Sequence, residues 1–251
     1  MGRRARLGII SLILAFFGAA CSPASKAKPA PIIIAAASDL IKVSQPLAET
    51  FERSTGLQVT FSFGSSGQLE QQIRHGASFD VYAPAARSFC QSIERDGFAD
   101  GPDKLYAYGR LGVWSKSLPL SSLQDLTSPQ VRRIAIANPH YAPYGMAAQQ
   151  ALQAAGLWPK VEAKIVYGET VANALQMAQT GNADVALVAV ALTKETGGSL
   201  VLVDQSLYNP IEQAAIVLKD SKNKPGARSF RDFLLTPEAQ RIFQEYGFGH
   251  P

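Results

Sequence analysis

Apolar and polar positions in the first third of the chain follow two periods, one typical of strands and one typical of helices. A short apolar run at Ile32–Ala36, an alternating stretch at Leu57–Phe63 and a further stretch at Phe79–Ala83 predict strands. Leu40–Arg53 has apolar residues on one helical face, and further helices are predicted at Ser66–His75 and Arg87–Gly97. The repeated strand–helix order favours a mostly parallel sheet flanked by helices.

The same order returns in the second half of the chain. Strands are predicted at Arg133–Ala137, Ala163–Val166, Val185–Val190 and near Ala214–Lys219, and helices at Tyr144–Ala155, Thr170–Thr180, Ala227–Leu235 and Pro237–Tyr246. Two strand-like stretches, Leu105–Ser115 and Glu212–Lys219, would connect the two sets. We therefore predict an α/β protein with two lobes and a ligand cleft between them, lobe I comprising residues 32–110 and 213–251 and lobe II residues 111–212.

The N-terminal segment has the pattern of an export signal. Met1–Arg6 is basic, Leu7–Phe17 is apolar but short for a membrane span, and small residues precede Cys21. We predict a signal peptide at residues 1–20, lipidation of Cys21, and a flexible tether at residues 21–31, which anchors an exported protein in the periplasm or at the cell surface. An ordinary signal peptide cleaved nearby is the alternative.

Charge argues against a nucleic-acid partner. The whole chain has 24 basic and 20 acidic residues, but residues 1–20 hold three arginines and no acid, which leaves 21 basic residues after their removal. A net charge of about +1 provides no broad basic surface. An anion would therefore have to be bound by local geometry.

Two strand–helix junctions of lobe I have the composition of an anion site. Ser38 follows three alanines, and Ser65 and Ser66 lie between two glycines. Small residues let backbone N–H groups approach a ligand, a helix N-terminus carries partial positive charge, and a serine hydroxyl can donate without adding charge. Serine at such a junction is also a common helix N-cap, so both interpretations stay open.

Lobe II offers two corresponding junctions. Tyr144 lies at the start of one predicted helix and Val171 at the start of the next. Their backbone N–H groups would point toward the cleft, although ordinary connections would have the same pattern.

Catalytic and metal-binding patterns are absent from the sequence. No nucleophile motif, phosphate loop or paired metal ligands are recognisable, and the three histidines are scattered. With Cys21 lipidated, Cys90 has no partner for a disulfide. We expect no enzyme activity, no cofactor and no cation site.

Several stretches, in order along the chain, resemble the molybdate-binding proteins of bacterial molybdate ABC importers. They are AAASDL (35–40), FSFGSSGQLEQQI (61–73), GASFDVY (76–82), RIAIANPHYAPYG (133–145), ETVANAL (169–175), TGNADVAL (180–187) and EAQRIFQEYGF (238–248). This resemblance implies a type II periplasmic-binding-protein fold, a molybdate or tungstate ligand, and a membrane permease as partner of a monomer.

The resemblance also implies a ligand set. Serine hydroxyls fall on Ser38 and on Ser66, with Ser65 as the alternative, and backbone amides fall on Tyr144 and Val171. Some family members use a tyrosine where this chain has Ala189. The missing donor would then come from Tyr144 or Tyr208.

Other functions remain as alternatives. The oxyanion could be sulfate or phosphate, the chain could be a secreted α/β enzyme, or it could be a sensory binding module. Asp39 bears on the choice, because a carboxylate facing the cleft would repel a dianion and accept the proton of phosphate. We expect Asp39 to cap its own helix instead.

Overall fold

A computed structural model describes Gly2 and residues 30–251, so the predicted signal peptide, Cys21 and most of the tether lie outside the described residues. Within this part, two five-stranded sheets form two lobes. The strands of lobe I are β1 (Ile32–Ala37), β2 (Val59–Gly64), β3 (Val81–Ala83), β4 (Lys104–Gly109) and β10 (Ile211–Val217); those of lobe II are β5 (Leu111–Ser115), β6 (Ile134–Ala137), β7 (Ile165–Gly168), β8 (Val185–Ala189) and β9 (Ser199–Leu202).

Helices connect these strands and cover the sheets. Lobe I has α1 (Ile41–Thr55), α2 (Ser66–Arg74), α3 (Arg87–Arg95), α7 (Lys224–Phe233) and α8 (Pro237–Glu245), and lobe II has α4 (Pro143–Ala154), α5 (Trp158–Val161) and α6 (Val171–Gln179). The predicted helices agree with these bounds to within three residues, the largest difference being the start of α7. Strand β9 and helix α5 were not predicted.

The two sheets share one topology. Their strand orders are β2-β1-β3-β10-β4 and β7-β6-β8-β5-β9. In each sheet the first three strands are parallel, and the fourth is antiparallel to both neighbours. Four of five strands therefore run in one direction, and the reversed strand is the one that follows a crossing between lobes.

The chain crosses between the lobes at two places. The stretch predicted as one strand, Leu105–Ser115, is divided at Arg110 into β4 of lobe I and β5 of lobe II. Strand β10 begins at Ile211 and pairs with β4, so the chain returns to the first sheet two residues before the predicted boundary at 213. An apolar pattern continues through Arg110, which is why sequence alone does not show the division.

Alternation along β1 explains how lobe I is packed on both faces. Ile32, Ile34 and Ala36 belong to a core that includes Phe51 and Phe230, whereas Ala35 points to a second core. A third core fills lobe II. Strands buried on both faces read as continuous apolar runs, the pattern that the sequence shows.

No helix within residues 30–251 is long and apolar enough to cross a membrane.

Candidate functional site

One small pocket lies where the four predicted junctions meet between the lobes. Its lining residues are Ala37, Ser38, Asp39, Gly64, Ser65, Ser66, Ala85, Ala142, Pro143, Tyr144 and Val171. Lobe I supplies the residues that follow β1, β2 and β3, and lobe II those that begin α4 and α6. The structure thus brings Ser38, Ser66, Tyr144 and Val171 together around one space suited to a small ligand.

Ser38 is held at the pocket by a contact with the opposite lobe. It opens a short 3-10 turn between β1 and α1 and is 4% exposed. Its Oγ accepts a hydrogen bond of 3.3 Å from the backbone N–H of Ala172, in the first turn of α6. Because the oxygen accepts this bond, the hydroxyl hydrogen is left to donate elsewhere.

Ser66 has the same arrangement within lobe I. It is the first residue of α2 and 1% exposed, and its Oγ accepts a bond of 3.0 Å from the backbone N–H of Ala85. The hydroxyl of Tyr82 donates to the Ser66 carbonyl at 2.7 Å, which fixes the backbone. Ser66 therefore also keeps a hydroxyl hydrogen that can be donated.

Ser65 differs from its neighbour, although it also lines the pocket. It is the N-cap of α2: its Oγ accepts from the Gln68 backbone N–H at 3.4 Å and donates to Gln68 Oε1 at 2.8 Å. The Ser65 hydroxyl is therefore engaged both as a donor and as an acceptor within a capping box. The structure thus assigns the cap to Ser65 and the free donor to Ser66.

Tyr144 and Val171 place backbone amides at two helix starts. Val171 is the first residue of α6, and Tyr144 follows Pro143 as the second residue of α4. N–H groups in the first turn have no partner within the helix, and the helix dipole makes this end electropositive. Gly145 is required here, because a Cβ at this position would overlap the carbonyl oxygen of Ala137.

Of the two residues considered as sources of the missing donor, Tyr144 lines the pocket, whereas Tyr208 does not, and neither does Ala189. Ala189 ends β8 and pairs with Leu111, and Tyr208 accepts a hydrogen bond of 3.1 Å from the Leu111 backbone N–H. Both residues therefore lie where the chain crosses between lobes, and neither lines the pocket. A role for Ala189 or Tyr208 as an additional donor stays a prediction.

The hydroxyl of Tyr144 contacts a buried polar network. Gln213 of β10, 0% exposed, donates through Nε2 to the Tyr144 hydroxyl at 3.3 Å and to Asp39 Oδ2 in a shorter bond. The hydroxyl of Tyr106 donates to Gln213 Oε1 at 3.0 Å. The sequence analysis missed Gln213 and Tyr106, although a glutamine within the apolar run of β10 was an available signal.

Asp39 occupies a different environment from the one expected. Its carboxyl is fully buried at the pocket, and Oδ2 accepts a hydrogen bond from Gln213 Nε2. Burial raises the pKa of Asp39 to about 6, and the hydrogen bond from Gln213 opposes the rise. No side chain caps the 3-10 turn or α1, so the expectation that Asp39 caps its own helix is wrong.

Cationic side chains do not contribute to the pocket, since no Lys, Arg or His is among its described lining residues. No group of three or more potential metal-ligating residues occurs within residues 30–251. The pocket therefore combines uncharged donors with one buried carboxyl.

Cys90 is buried, and its thiol contacts the Ala214 carbonyl at 3.6 Å.

Known proteins share both the sequence and this architecture. A family model for bacterial extracellular solute-binding proteins matches residues 32–249. The molybdate-binding protein ModA of Rhodobacter capsulatus is 36% identical over 86% of this chain and 87% of its own length, and that of Azotobacter vinelandii is 35% identical over 90% and 92%. The chain belongs to the molybdate-binding family of bacterial solute-binding proteins.

Solved structures agree with membership of the molybdate-binding family. The periplasmic molybdate-binding protein of Azotobacter vinelandii superposes with a TM-score of 0.83 and 31% identity, covering 88% of this chain and 99% of that one. This confirms the predicted two-lobed periplasmic-binding-protein fold. The sulfate-binding protein SubI of Mycobacterium tuberculosis has a TM-score of 0.73 at 16% identity, covering 87% and 86%, and shares the fold alone.

Proposed function

We propose that the protein captures molybdate in the pocket between its lobes and delivers it to the membrane permease of an ABC importer. Two molybdate-binding relatives at 35–36% identity support the ligand, and the pocket supports the mode of binding. The relatives are binding proteins, and we expect this chain to have no enzyme activity and to need no cofactor.

The observation that carries this proposal is a set of uncharged donors from both lobes. The hydroxyls of Ser38 and Ser66 each have an oxygen already engaged by a backbone N–H, so their hydrogens are available to an anion. The amides of Tyr144 and Val171 lie at helix starts that favour negative charge. Hydrogen bonds to an ionised oxygen are strong, so a few such donors replace a cationic side chain.

Selectivity would follow from size. Molybdate and tungstate are nearly equal in size and larger than sulfate, so donors fixed at the spacing of the larger pair would favour it. We therefore expect tungstate to bind as well as molybdate. Sulfate would leave some donors without a close acceptor, and each unmade bond would cost about 1–3 kcal/mol.

Closure of the lobes around the anion would allow the permease to recognise the ligand-bound protein. Hydrogen bonds already join the lobes beside the pocket, from Ala172 N to Ser38 Oγ, from Gly67 N to the Tyr141 carbonyl at 2.9 Å and from Gln213 Nε2 to the Tyr144 hydroxyl at 3.3 Å. An anion contacting both lobes would add to these bonds and stabilise the closed form. The permease would then distinguish a loaded monomer by its shape.

Location and anchoring are part of the proposal. A substrate-binding lipoprotein of Bacillus subtilis, YvgL, is 28% identical over 88% of this chain and 87% of its own length. Together with Cys21 after a signal-like segment, this supports an exported, lipid-anchored protein. Mass spectrometry of the membrane fraction would detect a lipid on Cys21, and a mature chain without one would contradict it.

One observation favours a second ligand, an oxyanion that carries a proton, such as phosphate. Asp39 lines the pocket, and an ionised carboxylate there would accept that proton. Sulfate receives no such support.

Titration calorimetry with molybdate, tungstate, sulfate and phosphate, with EDTA present, tests both candidates. We expect binding of molybdate and tungstate and much weaker binding of sulfate and phosphate. Tighter binding of phosphate than of molybdate would identify a protonated oxyanion as the ligand. Absence of binding of all four anions would reject both candidate ligands.

A further inference from the structure

Asp39 has one carboxyl oxygen that no other group satisfies. Oδ2 accepts the hydrogen bond from Gln213, whereas Oδ1 has no hydrogen-bond partner. Within the described part of the chain, Oδ1 is the only buried side-chain oxygen or nitrogen in this state. Since unsatisfied buried polar atoms are rare and costly, the atom requires an explanation.

Its position adds an electrostatic conflict. Asp39 is 0% exposed and lies beside Ser38, so a bound oxyanion would be close to its carboxyl. No Lys, Arg or His of the described pocket lining would screen the two groups from each other. An ionised carboxylate and a dianion would repel strongly in such a dry site.

Both observations have one resolution, which rests on the proposed function. We infer that Asp39 takes up one proton when the oxyanion binds, and that the resulting carboxyl donates a hydrogen bond from Oδ1 to the anion. The proton comes from solvent and forms an O–H bond on Asp39, so that the anion keeps both of its charges. The unsatisfied oxygen then becomes a further uncharged donor to the anion, as the serine hydroxyls and helix amides are.

The ionisation behaviour of Asp39 fits this inference. Burial already raises its pKa to about 6 before any anion is present, and a neighbouring dianion would raise it further. Proton uptake would therefore occur between about pH 6 and the higher pKa of the complex.

Groups that face Asp39 from neighbouring elements do not titrate in this range. Burial raises the pKa of the Tyr106 and Tyr144 hydroxyls well above that of an ordinary tyrosine, so both stay neutral. Gln213 does not ionise. Charged residues occur on the packed elements but are exposed or half-buried and do not contribute to the Asp39 pKa: Lys42, Glu169, Lys194 and Glu212.

Calorimetry in buffers of different ionisation enthalpy measures the protons taken up directly. The probe is sodium molybdate, titrated into the purified protein at several values from about pH 6 to about pH 8. We expect uptake approaching one proton per anion near neutral pH and affinity that falls up to about tenfold per pH unit as pH rises.

Asp39→Asn separates Asp39 from other sources of a proton. An asparagine stays neutral and can donate, so this variant should bind molybdate without proton uptake and with a flat pH profile. Asp232→Asn, at an exposed aspartate of α7, is the matched control and should retain the slope of the native protein.

Each outcome bears on the inference. Molybdate binding by the native protein without proton uptake would overturn it and leave the proposed function intact. Equal uptake by Asp39→Asn would place the proton on the anion or elsewhere and would overturn it as well. No binding of molybdate at any pH would reject the proposed function together with the inference. If Asp39→Asn fails to fold, calorimetry of the native protein in the different buffers still shows whether a proton is taken up on binding.

Discussion

The two lobes supply the pocket by different chemical means. Lobe I contributes side chains, the hydroxyls of Ser38 and Ser66, whereas lobe II contributes backbone amides at the starts of α4 and α6. A side-chain donor can be removed by one substitution, but a backbone donor can be removed only by displacing its helix. Removal of a serine hydroxyl in lobe I should therefore lower ligand affinity alone. Displacement of a helix start in lobe II should lower both ligand affinity and stability.

The largest effect should come from displacing a backbone donor of lobe II. In Gly145→Ala, the new Cβ would overlap the Ala137 carbonyl, so the start of α4 must shift. We expect a loss of stability of about 1–3 kcal/mol or more, together with loss of molybdate binding. Thermal unfolding and calorimetry measure the two effects. Met146→Ala, at the next and more exposed residue, is the control and should change both much less.

If Gly145→Ala bound molybdate with native affinity, the contribution of α4 to the pocket would be rejected.

Asp39 should impose a pH dependence on the stability of lobe I. Its pKa rises from 3.8 to about 6 on folding because of burial, so the folded state binds this proton more tightly than the unfolded state. The stabilisation is therefore complete below about pH 4 and is lost as pH rises through about 6, a change of about 3 kcal/mol. Urea unfolding should show this slope in the native protein, but not in Asp39→Asn.

Equal slopes in the two proteins would show that Asp39 is not buried as described.

Removal of the side-chain donors of lobe I should weaken binding without unfolding the protein. Ser38→Ala and Ser66→Ala should each raise the Kd for molybdate by a factor corresponding to about 1–3 kcal/mol. Calorimetry of each variant checks this, with circular dichroism to confirm the fold. Unchanged affinity in both variants would remove these serines from the site.

The smallest effect on binding is expected one residue away. Ser65 uses its hydroxyl within the capping box of α2, so Ser65→Ala should lower stability by about 1 kcal/mol and leave the Kd nearly unchanged. The same two measurements apply. A larger loss of affinity in Ser65→Ala than in Ser66→Ala would reverse the assignment of the two serines.

Sequence alone was sufficient for the alternating architecture and the four junctions. Apolar runs of β1 and β6 are buried on both faces, and small residues followed by a serine or a helix start mark a close approach of backbone. The resemblance to the molybdate-binding family added which residues at these junctions are the candidate ligands. That family was then confirmed by the comparisons.

Features that depend on contacts across the fold were not predictable. The cap role of Ser65 follows its local spacing from Gln68, whereas the bond between Ser66 and the Ala85 amide, 19 residues away, has no local signal. Gln213 is 174 residues from Asp39, and no local pattern indicates that the two meet. Division of one apolar stretch at Arg110 likewise follows from the packing of two sheets rather than from residue pattern.

The central claim is that uncharged donors from both lobes enclose a dianion. A crystal structure of the molybdate complex, with the metal located by its anomalous signal, tests it most directly. The account predicts molybdate oxygens within hydrogen-bond distance of Ser38 Oγ, Ser66 Oγ and the amides of Tyr144 and Val171. An empty interlobe pocket, or an anion held by Lys and Arg side chains on the surface, would contradict it.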